Sequence, residues 1–103
     1  MANGGHVIKM AVYKIKRNRL RVVLPAVKDF VESVNRKEKG RTLMYSAFQK
    51  RGTPHELVHF MIFKNRKAEK QHSKSEHARK FVDVIYPNSS SEPVFIDLTR
   101  LEK

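Results

Sequence analysis

The side chains best suited to moving a proton fall in one stretch, HELVHFMIFKNRKAEKQHSKSEH, which carries His55, His59, His72 and His77. An imidazole ordinarily titrates near neutrality, so each is a candidate general base. Spacing then separates them. On a strand, His55 and His59 share a face but sit about 13 Å apart, too far to hold one metal ion between them. His72 and His77 are five residues apart. That is about 500° of rotation on a continuous helix, so they share no face unless the chain breaks at Ser73–Ser75. A metal pair on a helix needs an i, i+4 spacing, and no metal site is read here. His72 and His77 then have two readings, as bases or as helix-end histidines making structural hydrogen bonds. His59, between Leu57 and Met61, is either a core histidine with a satisfied partner or a pocket base walled by Met61 and Phe63.

Three phenols are available, Tyr13, Tyr45 and Tyr86. Tyr45 alternates with Leu43 and Ala47, which puts it on a buried strand face where its hydroxyl needs a partner. It serves as a core aromatic or as a hydrogen-bond donor to a phenolic or quinone-like substrate. No carboxylate pair stands at a useful spacing. Nucleophile elbow, phosphate loop and GxGxxG are all absent, so hydrolase, nucleoside-triphosphate and dinucleotide chemistry lose support.

These residues need elements to place them. Val7 to Ile15 alternates as a strand with two apolar faces. Leu20 to Lys39 has helical spacing through Val23, Leu24, Val27, Val31 and Val34, with Phe30 beside them. Pro25 either opens the main helix or kinks it after Leu24. Gly40 is a stop signal. Arg41 to Arg51 reads as a second strand, with Leu43, Tyr45 and Ala47 on one face and Thr42, Met44, Ser46 and Phe48 on the other. Gly52-Thr53-Pro54 closes a hairpin into the third strand, HELVHFMIF. There His55, Leu57, His59, Met61 and Phe63 share one face and Glu56, Val58, Phe60 and Ile62 the other. Asn65 caps a charged helix carrying His72. A second helix, opened by His77, aligns Ala78, Phe81, Val82 and Ile85 and stops at Pro87. Val94 to Leu101 alternates as a last strand.

The order strand, helix, strand, strand, helix, strand predicts one α+β domain over residues 1–103. It is of the ferredoxin-like βαββαβ type, a four-stranded antiparallel sheet with helices on one face. Nothing remains to cover the other, apolar face. The remedy expected is a second copy, a homodimer packed sheet to sheet.

Composition narrows the partners. Twenty-two Lys and Arg against ten Asp and Glu give a net charge of +12. That attracts polyanions, but the basic residues are spread from Lys9 to Lys103 rather than gathered. An RNA-recognition sheet needs aromatics at i and i+2 on its exposed face, whereas Phe60 and Phe63 point to opposite faces. A nucleic-acid binder is therefore the weakest reading. No apolar run approaches the roughly 20 residues of a membrane span. The start, MANGGHVIKM, shows no apolar signal region, and the chain has no cysteine. The expectation is a cytoplasmic protein without disulfides or a membrane anchor.

The pattern Phe63, Ala68, His72, His77 and Phe81 resembles the antibiotic biosynthesis monooxygenase family, also called the dimeric α/β-barrel proteins. Lys39-Gly40 followed by Thr42-Leu43-Met44-Tyr45 is similar to that family's helix exit into a tyrosine-bearing strand, with one residue more than usual. The resemblance spans roughly Val7 to Leu101. It implies a small homodimer pairing its sheets into a barrel, with a pocket between sheet and helices bordered by His72, Phe63 and Tyr45. It also implies a cofactor-independent oxygenase of quinol-like or polycyclic aromatic compounds. The resulting assignment has His72 and His59 as catalytic bases. Tyr45, Met61, Phe63, Asn65, His77 and Phe81 are the substrate-binding set, with no cofactor and no metal. The chain departs from the family at two places. Met61 stands where a glutamate is frequent and Asn65 where an aspartate is frequent, which removes an acid to accept a proton or orient a histidine. A haem-degrading branch uses a tryptophan near the position of His72 and a haem-ligating histidine about ten residues on. This chain has no tryptophan, and Val82 takes the second place, so haem degradation is disfavoured. The competing expectation on the same fold is a non-catalytic binder or scaffold dimer.

Overall fold

The structure is a computed structural model and describes residues 5–102. Strand β1 (Val7–Lys14) leads through a short 3-10 turn into helix α1 (Leu20–Lys37). Strands β2 (Thr42–Lys50) and β3 (Thr53–Phe63) follow as a hairpin, then helices α2 (Arg66–Ser73) and α3 (Glu76–Ile85), and finally β4 (Val94–Leu98). The sheet order is β2-β3-β1-β4 with every neighbouring pair antiparallel. This is the ferredoxin-like arrangement expected from the order of elements.

Alternation decides what each strand buries. On β1 and β3, Ala11, Tyr13, Leu57, Met61 and Phe63 are buried and face the helices, and Ile15 continues that row. They pack against Val23, Val27, Phe30 and Val34 of α1 and Phe81 and Ile85 of α3. Burying each such side chain contributes about 1.5–3 kcal/mol, so this single layer dominates the stability. Pro25 sits inside α1 without ending it. Its ring forgoes one bond in the second turn, and the apolar stripe on both sides holds the helix continuous.

Two expectations need correction. β2 is bulged between Thr42 and Met44. Thr42 pairs with inward-facing Phe63, while Leu43 is 48% exposed. Thr42 therefore lies on the core side with Tyr45, and Leu43 does not, because the extra residue breaks the alternation. The last strand ends at Leu98, not Leu101. Leu98 pairs with Ile8, and β1 begins one residue earlier at Val7, so almost no strand remains for Thr99–Leu101 to pair with. As expected, the helices cover one face of the sheet, and on the other Phe48, Val94 and Ile96 are exposed in the single chain.

Gly40 and Gly52 have φ of +82° and +86°. Both are turn positions where a Cβ would be strained. Gly40 reverses the chain from α1 into β2, and Gly52 closes the β2–β3 hairpin. Among the described residues, no helix is long and apolar enough to cross a membrane.

Candidate active site

The chain break between α2 and α3 supplies the geometry that a continuous helix would forbid. Asn65 caps α2 by accepting a bond from the Ala68 amide at 2.8 Å. Ser75 caps α3 through the Ala78 amide at 3.1 Å, and its hydroxyl also donates to the His72 carbonyl at 2.7 Å. Ser75 thus ties the end of one helix to the start of the next. This turn brings His72 and His77 to a common partner, the carboxylate of Glu38.

Glu38 terminates α1 and is 2% exposed. Its Oε1 accepts from His72 Nδ1 at 3.0 Å and from the Thr42 hydroxyl at 2.5 Å. Its Oε2 accepts from His77 Nε2. Burial alone would raise this carboxyl. Hydrogen bonds from His72, Thr42 and His77, with the charge of His72 added, overcome that and hold it at about 2. Glu38 is therefore an anion at any ordinary pH. It sets an acid beside His72 from the end of α1, where Met61 and Asn65 offer none.

His59 has no such neighbour. It is fully buried, and its Nδ1 lies 2.7 Å from the Tyr45 hydroxyl. Its Nε2 has no hydrogen-bond partner. Burial, and secondarily the charge of His72, lowers it from 6.5 to about 4, so the ring is neutral near neutrality. Burial also pushes the Tyr13 and Tyr45 phenols well above their ordinary range. Both are un-ionised donors.

A cavity of about 240 Å³ lies between the sheet and helices α2 and α3. Phe30, Tyr45, Met61, Phe63, Phe81 and His72 form its inner wall, and Tyr13 closes one side. Lys9, Glu69, Val82, Tyr86 and Phe95 form its rim. The space is smaller than most drug-sized ligand sites and suits a compact aromatic ring system. The ring planes offer faces and edges to stack on. Phe30 and Phe81 are parallel at 4.4 Å between centroids, and Phe63 lies 4.9 Å from His72.

The cavity brings together Tyr45, Met61, Phe63, His72 and Phe81 from the residues proposed on sequence. It does not include His59, which stands behind Tyr45. His77 instead borders a separate depression of about 280 Å³ between α1 and α3. Asn65 serves as the α2 cap. A larger groove of about 400 Å³ between α1 and β2 holds none of these imidazoles or phenols, and its walls are Leu24, Val27, Val31, Phe48 and Leu57 with a few polar side chains. The Glu38 cluster is bonded inward on itself. Among the described residues, no group of three or more His, Cys, Asp or Glu side chains is placed to hold a metal ion.

Sequence reasoning missed Glu38, Tyr13, Lys9 and Phe30 as site residues. Glu38 did leave a trace. A carboxylate at a helix C-terminus is opposed by the helix dipole, and here it stands amid Arg36, Lys37, Lys39 and Arg41. An acid in that place calls for a buried partner.

The family model described as antibiotic biosynthesis monooxygenase matches residues 6–84. One solved antibiotic biosynthesis monooxygenase superposes with a TM-score of 0.86 at 23% identity, over 93% of this chain and 99% of that one. A candidate antibiotic biosynthesis monooxygenase from Bacteroides thetaiotaomicron gives 0.88 at 21%, over 95% and 91%. Another from Nitrosomonas europaea gives 0.87 at 15%, over 98% and 95%. At these identities the superpositions establish the fold. No curated protein matches the chain. The family match covers most of the sequence, including α1, the β2–β3 hairpin and the His72–His77 turn, and the chain belongs to the antibiotic biosynthesis monooxygenase family.

Proposed function

We propose that this protein is a cofactor-independent monooxygenase of a quinol-like or polycyclic aromatic compound. The observation that carries the reading is His72. It lines an aromatic cavity while its Nδ1 is held by the buried carboxylate of Glu38. A donor bond from Nδ1 fixes the tautomer and leaves Nε2 as the basic atom. With His59 donating from Nδ1–H to the Tyr45 oxygen, the un-ionised Tyr45 hydroxyl on the same wall keeps its own proton to donate to an oxygen anion.

In this scheme Nε2 of His72 takes the proton of a substrate hydroxyl. The resulting anion is electron-rich enough to pass one electron to O2. The substrate radical and superoxide combine to form a C–O bond. The peroxide takes the proton back from the His72 imidazolium. Loss of water, using the hydrogen on the same carbon, leaves a carbonyl. Glu38 stabilises the imidazolium between these steps and stays ionised throughout. The apolar walls keep water from the radical pair.

The test is oxygen uptake by purified protein with a panel of naphthalene and anthracene hydroquinones. Uptake is expected without added metal or flavin, with His72→Ala lowering it about 10²- to 10⁴-fold, the usual span for a general base. No uptake above the buffer rate, or full activity in His72→Ala, defeats the proposal.

The outer sheet face supports a second element of the reading, a homodimer. Ile8, Met10 and Val12 of β1 pair in register with Leu98, Ile96 and Val94 of β4, and Phe48, Val94, Ile96 and Leu98 are exposed. A continuous apolar sheet of this kind is costly to leave in water. A second copy meeting it sheet to sheet removes that cost from both chains. Sedimentation at micromolar concentration should give twice the chain mass, and Ile96→Lys should halve it. A wild-type monomer ends this part of the proposal.

A further inference from the structure

On the reading that this cavity is the substrate site, we propose that its ligand is an aromatic acid. Lys9 receives the ligand's carboxylate in exchange for Glu69. Lys9 occupies an unexpected place. It lies on the inward row of β1, between Val7 and Ala11, paired across the sheet with Met61 and Asp97. The rest of that row is apolar or aromatic. An aliphatic side chain would serve packing at least as well, since a part-buried ion pair adds little net stability.

The ammonium contacts Glu69 Oε2 and stands 3.6 Å from Asp97 Oδ1. Their exposures differ sharply. The Lys9 and Glu69 side chains are 23% and 17% exposed, and Asp97 is 85% exposed. The ammonium thus has one sheltered carboxylate and one solvated, weak partner. Three N–H groups radiate from it, so a donor remains for a ligand oxygen. Both Lys9 and Glu69 line the cavity rim, with Val82, Tyr86 and Phe95 beside them. A ring entering past these apolar side chains would bring an acidic substituent against Lys9.

The surrounding charge points the same way. Residues 64–85, which build both helices over the cavity, hold seven Lys and Arg against three Asp and Glu. A positive field over the entrance concentrates anions there. The two ends of the cavity then divide the work. Lys9 fixes the acid at the rim, and the hydroxyl to be deprotonated points inward to His72 and Tyr45. Glu69 lies against Lys9 where the ligand's carboxylate would bind.

The experiment is calorimetric titration with 6-hydroxy-2-naphthoate, whose hydroxyl and carboxylate stand at opposite ends of the ring system, and with 2-naphthol, without oxygen. The acid should bind wild type about tenfold more tightly than the naphthol, as expected for one sheltered charge pair. Lys9→Met should abolish that preference, lowering the acid's affinity about tenfold relative to the naphthol's, and Lys9→Arg should keep it. Glu69→Gln should tighten the acid about three- to tenfold relative to the naphthol by removing its competitor. A structural role for the pair predicts the opposite, since loss of either partner would weaken both ligands alike. Equal affinity for the two ligands, no binding of either, or weaker acid binding in Glu69→Gln overturns the proposal. Because nothing is turned over, a protein that binds the acid but consumes no oxygen keeps this inference and loses the oxygenase one.

Discussion

The rings of His59 and His72 lie at the same distance from Tyr45, 5.5 Å between centroids in each case. Their other neighbours differ in kind. His72 has a buried carboxylate on Nδ1 and a cavity beside it. His59 has one phenol on Nδ1, nothing on Nε2, and no exposure. The first sets a fixed anion against a ring at the cavity wall. The second disfavours a protonated ring, because the charge would be buried among Tyr13, Tyr45 and Phe81 without a counter-ion. Residue type is equal in the two cases. On the proposed reading, the partner on Nδ1, a carboxylate or a phenol, separates a base from a support.

The largest effect should come from removing that partner. Glu38→Ala leaves His72, His77 and Thr42 without their shared acceptor in a buried place. Losing one side of such a network costs about 3–5 kcal/mol, enough to leave a domain of this size marginal. Urea unfolding gives the figure directly. A loss under about 1 kcal/mol, the range of an exposed pair, would mean that Glu38 is solvated and His72 no better supplied than His59.

Glu38 also marks where the sequence stops being legible. The strands, the helices and their order follow from period-two and period-3.6 patterns, which are local and strong in HELVHFMIF and in the α1 stripe. The facing of Tyr45, His59 and Phe63 follows from the same alternation. The Glu38–His72 bond joins residues 34 positions apart. No local pattern carries such a pairing, only the oddity of an acid at the wrong end of a helix. The placement of His59 was half legible. Its burial could be read, but its position behind Tyr45 depends on the β2–β3 register, Tyr45 opposite Met61 and Ala47 opposite His59. The bulge at Leu43 left no mark in a run that alternates smoothly.

Acid separates the two environments, because Glu38 and His59 are both shifted down and so bind fewer protons folded than unfolded. Stability from each is complete above the unfolded value and lost as pH falls toward the folded one. For His59 the window runs from 6.5 down to about 4. For Glu38 it runs from 4.5 down to about 2. Each shift corresponds to a contribution on the order of 3 kcal/mol. Unfolding free energies measured every half unit should therefore fall in two successive steps. His59→Leu should flatten the upper step and spare the lower, and Glu38→Gln should do the reverse. A single step, or both steps vanishing in one variant, would show the two histidine environments to be one coupled unit.

The smallest effect tests the weaker half of the contrast, the claim that His59 acts by holding Tyr45. The two single changes should not be equal. Tyr45→Phe strips Nδ1 of its partner and leaves His59 with both nitrogens unpaired and buried, a cost of about 1–3 kcal/mol. His59→Leu frees the Tyr45 hydroxyl, which borders the cavity where water can reach it, and also deletes the unpaired Nε2. It should cost less despite removing more polar atoms. The double variant then gives a coupling of about 1 kcal/mol, the value of one neutral hydrogen bond between touching residues. The same cycle between Tyr45→Phe and His72→Gln should give almost none, because His72 spends its Nδ1 on Glu38. If the His59 coupling also fell to zero, His59 would only fill space, and the phenol would owe its orientation to the Phe30 ring 5.4 Å away.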